Sequence, residues 1–68
     1  MPLTKTQDKV YRFIKRYNLN KGWSPTYGEI ARYMGYRSNN AAYETVRAIA
    51  KKGYLTTRPG EMRGIVVL

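Results

Sequence analysis

Residues 26–47 read TYGEIARYMGYRSNNAAYETVR, and the parsing of this stretch decides the fold. Thr26 and Glu29 stand at capping-box spacing, where a hydroxyl and a carboxylate close each other's free backbone N–H groups. Ile30, Ala31 and Met34 follow at helical spacing, so a short helix is expected over about residues 27–34. Gly35 stands where a helix leaves through left-handed backbone. Ser38 is the next cap. Ala42, Val46, Ile49 and Ala50 form a second apolar stripe, so another helix is expected over about 39–52, stopped by Gly53. Two helices joined by so short a glycine-containing turn are a helix-turn-helix candidate, although many helical proteins contain such pairs.

Reading toward the N-terminus, Thr4 and Gln7 repeat the capping-box pattern, and Val10, Phe13, Ile14 and Tyr17 form one stripe of an amphipathic helix over about 5–18. Asn18, Asn20 and Gly22 are expected to end it. Lys5, Lys9, Arg12 and Arg16 fall on a separate face. Trp23-Ser24-Pro25 is extended, because the residue before proline avoids helical backbone. Trp23 is expected to plug the core, and its segment could supply a short third strand. Toward the C-terminus the period changes. Tyr54-Leu55-Thr56-Thr57 and Ile65-Val66-Val67 are β-prone runs around a turn region, Arg58 to Gly64, which reads as a hairpin with a basic tip. Alternation puts Ile65 and Val67 on one face and Val66 and Leu68 on the other, and an apolar outer face on an edge strand invites pairing with a second copy or a partner. The expected fold is mostly α with a small β part: a three-helix winged helix-turn-helix with a C-terminal hairpin wing, residues 1–68 as one domain.

Charge narrows the partners. Thirteen Lys and Arg against four Asp and Glu leave a net charge of +9 on 68 residues, a body that attracts polyanions. The acids, Asp8, Glu29, Glu44 and Glu61, are scattered, and histidine and cysteine are absent. That removes the commonest general base, the thiolate and the usual zinc ligands. No enzyme activity, metal, cofactor or small-molecule substrate is expected. No apolar run is long enough to span a bilayer, and the basic faces lack an adjoining apolar strip for a membrane surface. A cytoplasmic, nucleoid-associated location is the expectation.

Outside the buried stripe of the third helix stand Asn40, Tyr43, Glu44, Arg47 and Lys51. These types suit a duplex major groove: Asn pairs with the N6/N7 edge of adenine, Arg with O6/N7 of guanine, and Glu accepts from cytosine N4. Tyr43 can stack or touch a thymine methyl, and Ala41 lets the backbone approach. The capped N-terminus at Ser38, with Arg37 beside it, suits a phosphate. Thr26, Arg37, Asn39, Lys51, Lys52, Arg58 and Arg63 are the candidates for backbone contacts. Each residue also has a plainer reading. Asn39 and Asn40 could simply be tolerated in a first turn, Glu44 could pair with Arg47, Tyr43 could lie partly against the second helix, and Tyr36 reads as a core anchor. Arg58 and Arg63 could belong to a solvated loop.

The runs TKTQDKVYRFI (4–14), SPTYGEIARYMGYRSNNAAYETVRAIAKKGYL (24–55) and RGIVVL (63–68) resemble the N-terminal DNA-binding domain of the LexA repressors. The most specific parts are PTxxEIA, GYRSxNAA, and KKG followed by a hairpin ending in RGI. The resemblance implies a winged helix-turn-helix that binds operator DNA as a dimer, its third helix in the major groove and its wing on the backbone. It implies base contacts at Ser38, Asn40, Ala41, Tyr43 and Glu44, to which the residue chemistry adds Arg47. Tyr43 departs from the family: the enterobacterial-type pattern has glutamate there, so the family's usual operator is not assumed for this chain. The family's full-length repressors continue through a linker into a serine–lysine peptidase domain that supplies the dimer interface. These 68 residues hold no counterpart of it, as an excised domain or a free-standing small protein would. Double-stranded DNA, read by one copy or by a homodimer on paired half-sites, is the expected partner. The competing expectation is a winged helix that docks on an acidic protein, since a fold does not dictate its use.

Overall fold

Three hydroxyl caps set the helix starts in the computed structural model, which describes residues 1–68. Thr4 and Gln7 exchange the two bonds of a capping box at the head of α1, Lys5–Lys21. Thr26 and Glu29 do the same for α2, Tyr27–Met34. Ser38 accepts from the Ala41 N–H at 3.4 Å and opens α3, Asn39–Lys51. Two short strands follow, β1 Leu55–Thr57 and β2 Ile65–Val67, paired antiparallel with Thr56 opposite Val66. The first helix extends to Lys21 rather than ending near residue 18. Asparagine is a middling helix former rather than a breaker, and the helix stops only at Gly22, whose N–H bonds the Asn18 carbonyl. Gly35 turns the chain between α2 and α3 at φ +73°, a conformation side chains with a Cβ resist.

The buried apolar side chains come from every element: Val10 and Ile14 of α1, Ile30 and Ala31 of α2, Ala42, Val46 and Ile49 of α3, Leu55 and Ile65 of the strands. The third helix packs against α1, α2 and β1, so its inner face is wedged in the centre and its outer face is aimed away from the body. Phe13, Met34, Tyr36 and Ala50 cover this core from its rim. Tyr36 anchors the turn as expected, its hydroxyl 3.4 Å from the Thr45 hydroxyl. Tyr17 departs from its stripe: half-buried, it donates its hydroxyl to Glu29 at 3.0 Å.

Two expectations for the Trp23 segment are corrected. The sheet has two strands only, and Ser24 joins the wing by a side-chain bond instead, donating its hydroxyl to the Arg63 carbonyl at 3.0 Å. Nor does Trp23 plug the core. Ser24 and Pro25 take the buried positions, leaving the indole 52% exposed with the Arg63 guanidinium 5.8 Å from its ring. At the neck of the wing, Gly64 lies so close to the opposite strand that a Cβ there would come within 2.6 Å of the Arg58 carbonyl oxygen. On the last strand Ile65 is buried, Val66 and Val67 are half-buried and Leu68 is exposed. No helix is long and apolar enough to cross a membrane.

Candidate nucleic-acid interface

The outer face of α3 follows from its inner one. With Ala42, Val46 and Ile49 buried, helical geometry turns Asn40, Tyr43, Glu44, Arg47 and Lys51 outward, and all five are exposed. At about 1.5 Å per residue the helix is roughly 20 Å long, enough to lie along a groove about 12 Å wide. The side chains of Asn40, Glu44 and Arg47 make no hydrogen bond within the chain, and Glu44 and Arg47 form no ion pair with each other. Glu44, Arg47 and Lys51 line one shallow groove together with Ala48. Thr45, the polar residue on the flank, is committed inward: its hydroxyl donates to the Ala41 carbonyl at 3.0 Å. Thus the groups free to meet a ligand are those whose types match base edges, while the neighbouring hydroxyl is consumed by the fold.

Tyr43 is held differently. Its ring meets that of Tyr27, at the start of α2, edge-on at 5.4 Å, so the expected contact with the second helix is present. Thr26 and Asn39 come together in a cleft with Tyr27, Gly28 and Met62, where the N-termini of α2 and α3 face the tip of the wing. Asn39 and Asn40 are the first residues of α3, so their N–H groups have no partner along the helix. Arg37 lies just before the cap, exposed, and Arg58 is exposed on the wing with its guanidinium unbonded.

The remaining backbone candidates are engaged inside the molecule. Arg63 donates through Nη1 to Glu29 Oε1 at 2.8 Å and through Nη2 to Oε2 at 3.1 Å, and Nη1 also reaches the Ser24 carbonyl at 2.9 Å. Glu29 therefore does three jobs: it caps α2, accepts from Tyr17 and clamps the wing. The Arg63 hydrogen bonds, then the Thr26 N–H, hold its carboxyl at about 2, against an ordinary 4.5. Lys52 points the other way, donating to Gln7 Oε1 and, at 3.0 Å, to the Pro2 carbonyl. The Glu29–Arg63 clasp escaped the sequence reading because its members lie 34 residues apart and Glu29 was already accounted for as a cap. Tyr27 was missed as well; its one signal was an aromatic residue at the exposed start of a helix that faces α3.

Of the four acids, Asp8 pairs with Arg12 at 2.9 Å and Glu29 with Arg63. The residues around α3 and the wing keep Arg37, Arg47, Lys51 and Arg58 exposed, against two exposed acids, Glu44 on the helix and Glu61 on the wing. Helices in this order, a tight turn into an outward-facing third helix, and a hairpin beside it define a winged helix-turn-helix, and the cationic side places it among nucleic-acid-binding modules. A family model described as the LexA DNA binding domain matches residues 1–64. The chain belongs to that family. It is 46% identical over 63 residues to the LexA repressor of Cellvibrio japonicus, covering 93% of this chain and 32% of that one. It is 47% identical over 64 residues to the LexA repressor of Pseudoalteromonas atlantica, covering 94% and 31%. For that of Marinobacter nauticus the figures are 48% over 65 residues, 96% and 32%. The chain thus spans about a third of the length of the curated relatives it matches.

Proposed function

We propose that this chain recognises a specific operator in double-stranded DNA and represses transcription by occupying it, at the nucleoid. The observation that carries the reading is the outer face of α3, where Asn40, Glu44 and Arg47 are exposed and unbonded, beside a wing on which Arg58 is exposed without a side-chain partner. Ser38, Asn40, Ala41, Tyr43, Glu44 and Arg47 read bases in the major groove. Thr26, Arg37, Asn39, Lys51 and Arg58 hold phosphates. Lys52 and Arg63 serve chiefly the fold, because most of their donors are held by Gln7, Pro2, Ser24 and Glu29, and only the remaining ones can reach a phosphate.

Affinity then comes from displaced counterions and discrimination from base edges. One module of this size buries only about 600–1,000 Å² on DNA, so tight repression calls for two copies on half-sites about one helical turn apart. The test is selection from a random duplex pool followed by fluorescence anisotropy at several salt concentrations. An enriched motif, palindromic if two copies act together, is the expected result. Equal affinity for all duplexes, or no binding at low salt, overturns the reading, and the second outcome points to an acidic protein as the partner.

A further inference from the structure

Tyr43 is the one group on the recognition face whose ring has a wall behind it. The ring planes of Tyr43 and Tyr27 cross at 78° with centroids 5.4 Å apart. Together with Arg47, Ala50 and Thr57 the pair lines a hollow of about 170 Å³ along the flank of α3. Tyr27 is half-buried and packs on the core, so it is the fixed member. Its hydroxyl, neutral at pH 7 in any case, is held further from ionisation by burial and then by the neighbouring Tyr43, which raise its pKa. Tyr43 remains 43% exposed on the side away from the wall. A long side chain on a helix surface ordinarily samples several rotamers; an edge-on aromatic neighbour anchored in the core restricts that choice.

What such a ring can read is limited by its chemistry. It offers apolar surface and, unlike a carboxylate, cannot serve as a charged acceptor for cytosine N4. The apolar feature in the major groove is the 5-methyl group of thymine. Resting on the operator-binding reading above, we propose that Tyr27 is a positioning residue that fixes Tyr43 as the reader of a thymine 5-methyl group. The two rings, one on each helix of the helix-turn-helix, act as a single specificity element.

The test uses the duplex selected by the wild-type chain. Each thymine is replaced, one at a time, by deoxyuridine, which lacks only the methyl. At one position per half-site the replacement weakens wild-type binding about fourfold, the worth of one buried methyl carbon. That effect vanishes in Tyr43→Ala, persists in Tyr43→Phe and Tyr27→Phe, and is lost in Tyr27→Leu while affinity for random duplex stays the same. A melting curve on each variant checks folding. Independently of any variant, NMR couplings of the free wild-type chain should give Tyr43 a single χ1 rotamer. The pair fails if no uridine effect depends on Tyr43, if Tyr43→Phe abolishes it, if Tyr27→Leu keeps it, or if Tyr43 averages over rotamers. A pool that yields no enriched duplex takes the operator reading down with it; an enriched duplex without such a thymine sinks the tyrosine pair alone.

Discussion

Arg47 and Arg63 are both exposed arginines that chemistry alone would send to DNA, yet the fold treats them oppositely. Arg47 leaves α3 with no partner in the chain, its guanidinium fork open. Arg63 lies across the Glu29 carboxylate in a two-pronged pair, with the Ser24 carbonyl as a further acceptor and the Trp23 ring nearby. The difference teaches that a count of cations does not locate an interface. A guanidinium that spends most of its donors on a carboxylate and a carbonyl has fewer left for a phosphate, and its charge is already paired, whereas an unpaired one has all five donors available. By the same reasoning Lys52 counts with Arg63, and Arg58 with Arg47.

The contrast can be broken most severely from beneath. Ile49→Ala hollows the inner side of the helix that carries Arg47 and should cost about 2–5 kcal/mol of stability. Chemical denaturation measures that loss; binding by the fraction still folded should keep its base preference, and an altered preference would mean the inner face sets specificity directly. Next in size, Arg47→Ala should leave the melting temperature in place and cost about 1–3 kcal/mol on the selected duplex, relaxing preference at one base pair. A uniform loss on every sequence would move Arg47 to the phosphates. The wing then separates free from engaged cations: Arg58→Ala should reduce the slope of log affinity against log salt by about one, and Lys52→Ala should leave it unchanged. Equal slopes for the two variants would erase the distinction.

The smallest effect concerns acid. Because the folded-state pKa of Glu29 is depressed to about 2, the clasp contributes stability above the ordinary value of 4.5 and loses it as pH falls from there toward 2. Solvent reaches both partners, so the contribution is modest. A pH series of thermal melts should show a decline across that window that is shallower in Glu29→Gln. Matching declines would leave the clasp without weight in stability.

The helices were legible because their caps are local: Thr4 with Gln7, Thr26 with Glu29 and Ser38 with Ala41 each close within one turn. The outward set on α3 was legible for a related reason, since period alone turns Asn40, Glu44 and Arg47 away from Ala42, Val46 and Ile49. What the sequence concealed was the spending of side chains over long separations. Nothing in the neighbourhood of Trp23 says that Pro25 will take the core position, and nothing near Arg63 names Glu29. The tail of α1 was misjudged for a milder reason: asparagine discourages a helix without ending it, and the glycine after Lys21 had the last word.

The Met1 carbonyl accepts from the Tyr54 hydroxyl at 3.0 Å, and the Pro2 carbonyl from Lys52, at the joint where α3 passes into the wing. The opening residues therefore brace the joint between α3 and the hairpin, whereas the exposed loop at Glu61, at the far end of the hairpin, makes no side-chain bond to it.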